Sequence, residues 1–331
     1  MIRICQRNYQ NVNGDIQMEY QQIASLVERI KQNIQKVIIG KEQEIELVLS
    51  ALICGGHVLL EDVPGTGKTT LAKALAKTMN GGFARVQFTP DLLPADVTGT
   101  RVFRQQTSDF VFVCGPVFTN ILLADEINRA TPRTQSALLE CMEERQVSEG
   151  GVTYALEAPF LVIATQNPVE TQGTFPLPEA QLDRFLIRIS LGYPSQNEAL
   201  AMMQRFRAAS PLAVLDAVAD MSELAEAGRL YAQCEVSEPI MNYIASLCEA
   251  ARDPGKVRLG PSPRAMLNLM RACQALAAVR GRDYVIPDDV KEMAVPVLAH
   301  RVIMRGMHGQ KADAFIRELL NQLPAPTEEA L

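Results

Sequence analysis

Short apolar runs alternate with helix-like segments through the first part of the chain. Strands are predicted at Val58–Leu60, Arg85–Phe88, Ile121–Ala124 and Phe160–Ala164, with a candidate fifth at Phe185–Ile189. Strands that are apolar throughout and separated by helices are typical of a parallel sheet covered on both faces. The pattern therefore predicts an α/β fold.

Helical periodicity characterises the segments before and after these strands. Met18–Gln35 and Glu42–Cys54 precede the first strand, and Ser195–Arg207 follows the last. Apolar residues at helical spacing predict five further helices, over Glu223–Gln233, Glu238–Arg252, Pro263–Arg280, Asp288–His300 and Lys311–Leu323. We expect three parts: a mobile N-terminal segment (1–18), an α/β core (19–208), and an all-helical domain with a C-terminal tail (209–331).

Two hairpin-like insertions interrupt the alternation. The first spans about Gly99–Phe112, where apolar residues flank a polar turn at Gln105–Asp109. The second spans Gln146–Ala155, and the pair Gly150-Gly151 at its centre is typical of a tight hairpin turn. The pattern leaves two roles equally open for the hairpins, surface decoration and contact with a substrate.

A glycine-rich turn between the first strand and a helix carries the strongest chemical signal. Gly65 and Gly67 lie in the turn, and Lys68-Thr69 open the helix. Glycines let successive backbone N–H groups point at a phosphate, and the helix N-terminus adds partial positive charge. In such a loop Lys68 reaches the β- and γ-phosphates and the Thr69 hydroxyl binds Mg²⁺. The turn therefore predicts ATP and Mg²⁺ as ligands.

One position departs from the usual phosphate-loop pattern. The pattern GxxxxGK[ST] begins with glycine, and Asp62 stands at that position in this chain. Gly65 and Gly67 keep the tight part of the loop intact. We expect the Asp62 side chain to hold the turn through an Asx-type hydrogen bond in place of a left-handed backbone.

Two other predicted strands end in polar residues suited to phosphate chemistry. Asp125 and Glu126 follow one apolar strand, and Asn167 follows another. At these positions Asp125 is expected to bind Mg²⁺ through a water, and Glu126 to polarise the attacking water as a general base. If the two strands are neighbours, Asn167 can hydrogen-bond the γ-phosphate or that water.

Several separate motifs occur in an order that resembles the MoxR family of AAA+ ATPases. They are Asp125–Ala130, Ser136–Glu144, Ala164–Pro168 and Pro178–Phe185. The resemblance covers about residues 19–312, and Cys141 stands where such proteins often have Ala. It implies an AAA+ P-loop NTPase fold with a parallel β-sheet core, a helix-2 insert, a pre-sensor-1 hairpin and a smaller helical lid.

The resemblance also implies roles for residues outside the phosphate loop. Asn167 is similar to the sensor-1 residue, and Arg184 looks like an arginine finger that reaches a neighbouring subunit's γ-phosphate. Arg264 looks like the sensor-2 arginine on the lid. Each arginine has a plainer interpretation: Arg184 follows Asp183, so a local ion pair contributing about 0–1 kcal/mol is an alternative, and Arg264 could be a solvated residue in a first helical turn.

The family pattern extends the expected nucleotide contacts beyond the loop. Val37–Gly40 resembles the segment that packs around adenine, and the Walker A and Walker B pairs match Lys68-Thr69 and Asp125-Glu126. The expected metal ligands are Thr69 and Asp125, and the expected catalytic residues are Glu126, Asn167, Arg184 and Arg264. The expected nucleotide contacts are Val37, Ile38, Ile39, Gly40, Asp62, Val63, Pro64, Gly65, Thr66, Gly67, Lys68, Thr69 and Thr70.

Composition narrows the function classes. The chain has 331 residues, of which 47% are hydrophobic and 21% charged, as in ordinary globular proteins. A net charge of -6 and a pI near 5.3 make nucleic acid an unlikely partner. Cysteines without CxxC pairing and histidines without metal-ligand spacing argue against a structural metal. Because neither a signal peptide nor a run of ~20 apolar residues occurs, we expect a cytoplasmic protein with no membrane span.

These observations together predict an ATP hydrolase. By resemblance it forms a homo-oligomeric ring, a hexamer, that remodels or matures a partner protein in a chaperone-like way. The partner would carry a von Willebrand factor A domain, and maturation could include metal or cofactor insertion. Three alternatives stay open: a DNA-acting motor, supported by Arg101 and Arg104 in the first hairpin, a magnesium-chelatase-like motor subunit, and a nucleotide-gated scaffold with negligible turnover.

Overall fold

The computed structural model describes residues 18–106, 108–168, 173–207, 211–306 and 310–327, with the side chains of residues 310 and 311 excepted. Nearly all of the predicted mobile segment, residues 1–17, lies outside these ranges, as does the predicted domain boundary at residues 208 and 209. In the described ranges the strands are β1 (Val58–Glu61), β2 (Phe83–Gln87), β3 (Gly99–Arg104), β4 (Asp109–Cys114), β5 (Ile121–Asp125), β6 (Gln146–Glu149), β7 (Val152–Ala155), β8 (Leu161–Gln166), β9 (Ile187–Ile189), β10 (Val257–Leu259) and β11 (Ile303–Met304).

The helices follow the predicted segments closely. They are α1 (Tyr20–Gln35), α2 (Glu42–Ile53), α3 (Lys68–Thr78), α4 (Pro94–Thr98), α5 (Pro132–Glu144), α6 (Glu179–Leu182), α7 (Gln196–Phe206), α8 (Met221–Leu230), α9 (Glu238–Ala250), α10 (Pro263–Val279), α11 (Pro287–Leu298) and α12 (Gln310–Gln322). Proline begins α10 and α11, where its missing N–H costs little. The predicted helix Glu223–Gln233 is shorter than expected, because α8 ends at Leu230 and a 3₁₀ turn continues to Gln233.

Five parallel strands form the central sheet, in the order β2-β5-β8-β1-β9. All five residues of β5 and the first five of β8 are buried, so these strands lie inside the molecule, as their apolar sequences predict. In a parallel sheet the strands all begin at one edge, the amino edge, and all end at the other, the carboxyl edge. The predicted α/β fold is confirmed, and the order places β8 between β5 and β1.

Both predicted hairpins are present. β3 pairs with β4 from Gly99–Cys114 to Arg104–Asp109, and β6 pairs with β7 around the turn at Gly150 and Gly151. Both turn glycines have a positive φ, +58° and +76°, which suits a two-residue hairpin turn. The rings of Phe112 and Tyr154 stack 4.2 Å apart, so the two hairpins contact each other.

The C-terminal part consists mainly of helices α8–α12, and we call it the lid. A short antiparallel ladder between β10 and β11 interrupts the expected all-helical pattern. Both strands are too short to show alternation in the sequence. Apolar side chains of the lid, of α1–α3 and of one sheet face belong to one continuous buried cluster. The lid is therefore packed firmly on the N-terminal helices.

Candidate nucleotide site

The loop between β1 and α3 has the backbone shape of a phosphate-binding loop. Gly65 and Gly67 are left-handed, with φ of +87° and +91°. A Cβ atom added at either glycine would meet nothing within 4 Å, so the space beside the loop is open. Left-handed backbone favours glycine because other residues clash there. The loop therefore presents its backbone and the N-terminus of the 11-residue helix α3 to one open space.

Lys68 and Thr69 lie at the start of α3. The Lys68 ammonium donates hydrogen bonds to the carbonyl oxygens of Asp62, at 2.9 Å, and Val63, at 3.4 Å. These bonds fold the side chain back over the loop. A lysine held by carbonyl groups at the open face of such a loop can exchange them for phosphate oxygens, and the phosphate contact of Lys68 stays a prediction.

Asp62 does not form the expected Asx-type bond within the loop. Its buried carboxylate accepts hydrogen bonds from Ser190 Oγ, Leu191 N and Gly192 N, at 2.9, 2.6 and 3.0 Å. The physical reason is that β9 lies next to β1, and the chain leaving β9 brings two backbone N–H groups to this carboxylate. Asp62 therefore joins the phosphate loop to the end of β9.

Thr165 organises the two acidic residues after β5. Its hydroxyl donates to Asp125 Oδ1 at 2.7 Å and accepts from the backbone N–H of Glu126 at 2.8 Å. Arg85 binds the other oxygen of Asp125 at 2.6 Å. A buried carboxylate with both oxygens engaged has one orientation. Asp125 therefore points to the carboxyl edge in a fixed position.

Glu126 has an unusual backbone and a well-held side chain. Its φ is +55°, a left-handed conformation that is costly for a residue other than glycine and that clusters at active sites. Gln87 Nε2 and Arg129 Nη1 donate to Glu126 Oε2 at 2.8 and 3.0 Å. Both donors fix one carboxylate oxygen and so orient the group. Arg129 lies three residues after Glu126 and so contacts the Glu126 of its own chain.

Asn167 lies one residue beyond the end of β8. Because β8 lies between β5 and β1, Asn167 leaves the sheet between the acidic pair and the phosphate loop. The structure thus brings Lys68, Asp125, Glu126 and Asn167 to the same edge of the sheet. The condition stated for Asn167, neighbouring parallel strands, is met.

Arg184 and Arg264 lie at the opposite edge. Arg184 precedes β9, which lies beside β1. The N–H of Leu186 donates to the carbonyl of His57, which precedes β1, at 2.9 Å. The four residues of β1 span about 13 Å at ~3.3 Å per residue. The two arginines are therefore separated from Lys68 of the same chain by at least a strand's length.

One carboxylate holds both arginines. Glu143 Oε2 lies 3.0 Å from Arg184 Nε, and Glu143 Oε1 lies 2.6 Å from Arg264 Nη2. The charge of the carboxylate, through its hydrogen bond with Arg264, raises the pKa of that guanidinium. The local ion pair that the sequence suggests between Arg184 and Asp183 is not the pairing observed, since Asp183 pairs with Arg301.

The expected adenine segment joins α1 to α2. Val37 and Ile38 are buried in the main apolar cluster, whereas Ile39 is partly exposed and Gly40 exposed. The Glu198 side chain covers Gly40 so closely that an added Cβ would lie 1.6 Å from Oε1. Only the second half of the segment offers surface to a base, and its adenine role stays a prediction.

The donor set fits Mg²⁺ only in combination with phosphate oxygens and water. Within the ranges that the structure describes, no three His, Cys, Asp or Glu residues are grouped so that they could hold a metal ion. Thr69 and Asp125 supply a hydroxyl and a carboxylate, which are oxygen ligands of the kind that Mg²⁺ accepts. Enzymes that bind Mg²⁺ with a nucleotide usually contribute only one or two protein ligands.

Sequence reasoning missed the residues that orient the site. Thr165, Arg85, Gln87 and Glu143 each bind an expected site residue and were not predicted. For Thr165 a signal exists, a polar residue in a fully apolar strand beside the Asp125 strand. For Glu143 the sequence holds no signal, because its partners lie on distant elements.

Comparison with known proteins identifies the family. Residues 57–187 match the model of the ATPase family associated with various cellular activities (AAA), and residues 249–319 match an AAA lid domain. Chaperone MoxR1 of Mycobacterium tuberculosis (strain ATCC 25618 / H37Rv) is 44% identical over 84% of this chain and 76% of its own length. This chain belongs to the MoxR family of AAA+ ATPases.

Other relatives cover nearly the whole chain. Protein YeaC of Bacillus subtilis (strain 168) is 44% identical over 95% of this chain and 99% of its own length. Protein MoxR of Paracoccus denitrificans is 33% identical over 86% and 91% of the two chains. A crystal structure of a protein from Cytophaga hutchinsonii, 38% identical, superposes with a TM-score of 0.85 over 93% of this chain and 97% of that one. The predicted AAA+ fold, with its helical lid, is thereby confirmed.

Proposed function

We propose that this chain binds Mg-ATP and hydrolyses it to ADP and phosphate as a subunit of a homo-oligomeric, hexameric ring. The observation that carries the proposal is the division of the expected site between two edges of the sheet. The carboxyl edge has a phosphate loop, oriented carboxylates and an amide, and the amino edge has two guanidiniums. A complete site then needs a second copy of the chain.

The carboxyl edge would hold the nucleotide. The backbone of Val63–Gly67 and the Lys68 ammonium would bind the phosphates. Thr70, in the first turn of α3, would be the last nucleotide contact of this segment. When bound, Mg²⁺ would be held by Thr69 and, through water, by Asp125, and would neutralise phosphate charge. Ile39 and Gly40 are the members of the adenine segment with surface available.

Glu126 would take the proton of the attacking water. Gln87 and Arg129 orient its carboxylate, so the group does not have to be ordered during the reaction. Asn167 would hydrogen-bond that water or the γ-phosphate. Phosphoryl transfer depends mainly on positioning and on charge neutralisation, and the site supplies positioned groups for both.

The amino edge would serve the next subunit. Arg184 is 30% exposed and Arg264 is 54% exposed at the side chain, so both can exchange Glu143 for an external anion. In our proposal they stabilise the γ-phosphate charge of the neighbour's nucleotide. An isolated subunit would then be nearly inactive.

Hydrolysis would drive the remodelling or maturation of a partner protein. The support for this role is the family, since a relative with 44% identity carries the name Chaperone MoxR1. We further propose a cytoplasmic setting and a client with a von Willebrand factor A domain, in which maturation includes metal or cofactor insertion. None of the described helices is both long and apolar enough to span a bilayer.

Glu126→Gln tests the hydrolytic assignment. We expect this variant to bind ATP normally and to hydrolyse it about 10²–10⁴ times more slowly, the usual contribution of a general base. Phosphate release at steady state and ATP titration measure the two quantities. Glu140→Gln, an exposed carboxylate on α5, is the matched control and should be fully active. Full turnover in Glu126→Gln would remove the base assignment.

Mixed rings test the division between edges. Arg184→Ala subunits keep an intact phosphate loop and Glu126, whereas Glu126→Gln subunits keep an intact Arg184. Each variant alone should be nearly inactive, and co-expression of the two should restore hydrolysis. If no activity returns in rings of the mixed composition, Arg184 does not act on the neighbouring subunit.

A trapping experiment identifies the client. Glu126→Gln loaded with ATP should stay bound to its partner, because slow hydrolysis prolongs the ATP-bound state. The proteins that copurify with this variant and are released by exchange to ADP would be the candidates. If the same proteins copurified with Lys68→Ala, this result would contradict ATP-dependent client binding.

A further inference from the structure

The segment Asp183–Phe185, which carries Arg184, is held by one residue of the lid. Arg301 lies in a 3₁₀ turn after α11 and is 6% exposed. Its Nε donates to Asp183 Oδ1 at 2.5 Å, and its Nη2 donates to the carbonyls of Asp183 and Phe185 at 3.0 and 2.6 Å. Its Nη1 donates to the carbonyls of Leu186, at 3.1 Å, and Val297.

All five N–H groups of Arg301 are therefore used, four of them on the segment from Asp183 to Leu186. An arginine has five donors in a fixed planar arrangement, and no other side chain could make this set of bonds. Taking a charge out of water costs several kcal/mol unless it is paired and hydrogen-bonded. This buried charge is compensated almost entirely by the residues on either side of Arg184.

The remaining contacts of the segment have the same effect. Phe185 is fully buried, and His300 Nε2 also donates to its carbonyl at 3.1 Å. Ser262, at the start of α10, lies 3.4 Å from Asp183 Oδ2. The backbone before and after Arg184 is thus fixed by the lid, whereas the Arg184 guanidinium itself points to Glu143 and is partly exposed.

We propose that Arg301 is a positioning residue for Arg184, so that the lid of each subunit sets the guanidinium that enters the neighbouring subunit's site. The inference rests on the proposed trans role of Arg184. Because the backbone around Arg184 is already fixed, only the side-chain rotations of Arg184 are lost when its guanidinium binds a phosphate. A displacement of about 1 Å at a reacting centre can cost about 10²-fold in rate.

Arg301→Lys is the primary test. Lysine keeps the charge but has three donors and no planar fork. We expect kcat to fall about 10-fold to 100-fold, with the KM for ATP unchanged, because the subunit's own phosphate loop is intact. Arg282→Lys is the matched control: Arg282 forms a partly buried ion pair with Asp289 in the lid. Its guanidinium donates to Asp289 and to the Tyr284 carbonyl, away from the Arg184 segment. This variant should keep kcat within about 2-fold, because changes at distant sites without shared partners are nearly independent of each other.

Co-expression with Glu126→Gln separates positioning from a structural role. The Glu126→Gln subunit lends a normally held Arg184, so hydrolysis per Arg301→Lys subunit should rise towards the wild-type value. Loss of activity that the mixture does not restore would overturn the inference, provided that Arg184→Ala is restored in the same assay. If Arg184→Ala is not restored either, the trans role fails and this inference fails with it.

A second variant covers the case in which Arg301→Lys does not fold. Asp183→Asn keeps an oxygen acceptor for Arg301 and all the carbonyl contacts, and removes only the ionic part of one bond. It should lower kcat by a smaller factor, about 3-fold to 10-fold, and the same mixture should restore it. Wild-type kcat in Asp183→Asn together with unrestored loss in Arg301→Lys would contradict the proposal.

Discussion

The two edges of the central sheet differ in how their charged side chains are held. At the carboxyl edge, acidic groups and a lysine are held by residues of their own subunit: Asp125 by Thr165 and Arg85, Lys68 by loop carbonyls. At the amino edge, two arginines share one carboxylate, Glu143, and keep exposed surface. In our proposal the first edge binds a triphosphate, and the second edge completes the site of a neighbouring subunit.

The carboxylate shared by Arg184 and Arg264 suits the role that we propose for these two arginines. A guanidinium that binds a phosphate of another subunit needs a neutralising partner when that phosphate is absent. The ion pair with this partner must be weak enough to break when the phosphate binds. Glu143 is itself 31% exposed at the side chain, so its bonds to Arg184 and Arg264 are screened by water. The predictions below are ordered from the largest expected effect to the smallest.

Lys68→Ala should have the largest effect, because it removes the cation of the carboxyl edge. We expect affinity for ATP to fall by about 10²-fold or more, and hydrolysis to be lost, as for other preorganised charged contacts. Titration calorimetry measures the affinity. Lys73→Ala changes an exposed lysine on the same helix and should bind ATP like the wild type. Equal affinity in the two variants would mean that the phosphates bind elsewhere.

Arg264→Ala sharpens the comparison, because it asks whether the whole amino edge acts on the neighbour. We expect kcat to fall about 10³-fold, the lower end of the effect of an arginine at a phosphoryl group, with ATP affinity nearly unchanged. Co-expression with Glu126→Gln should restore hydrolysis, as it should for Arg184→Ala. If the mixture restores Arg184→Ala alone, Arg264 serves its own subunit, and the two arginines differ in spite of their shared carboxylate.

Thr165→Val tests how the carboxyl edge is oriented. Valine has nearly the same shape but removes the hydroxyl that bonds Asp125 and the N–H of Glu126. An unsatisfied buried polar group costs about 1–3 kcal/mol. Because rearrangement around residue 165 would offset part of this cost for the two groups, we expect kcat to fall by about 10-fold. Thr165→Ser keeps the hydroxyl and should retain most of the activity. Equal losses in both variants would point to packing as the cause.

The sequence predicts what depends on local pattern. The sheet, both hairpins, the helix start at Pro263 and the left-handed glycines of the phosphate loop all follow from spacing within a few residues. The sequence fails where the partner is remote. Asp62 bonds residues beyond β9, and Arg301 bonds Asp183, because strand order and lid packing bring these segments together. Neither juxtaposition follows from hydrophobic periodicity.

The smallest effect on hydrolysis is expected from changing His57. This residue tests the amino edge through the pH dependence of the protein's free energy of unfolding. His57 is buried before β1, accepts a hydrogen bond from Val162 N at Nδ1, and lies 3.1 Å from the Met142 carbonyl at Nε2. Burial, assisted by the nearby charge of Arg145, lowers the pKa of His57 to about 3. The ring is therefore neutral in the folded chain, with its proton on Nε2.

The sign of the pH effect follows from this lowered pKa. Below pH 6.5 the unfolded chain binds a proton at His57 that the folded chain does not bind until about pH 3. The stabilisation is therefore complete above pH 6.5 and is lost as the pH falls from there towards 3. Near pH 5 the loss is about 2 kcal/mol in the free energy of unfolding.

Urea unfolding of the wild type and of His57→Gln, at about pH 7 and about pH 5, measures this loss. Glutamine can accept and donate like the neutral ring but does not titrate, so its stability should fall less over this interval. The carboxylates contribute equally to both proteins, and the difference between the two falls isolates the histidine. Identical falls would mean that His57 is charged or exposed in solution, and the amino edge would then be looser than its hydrogen bonds indicate.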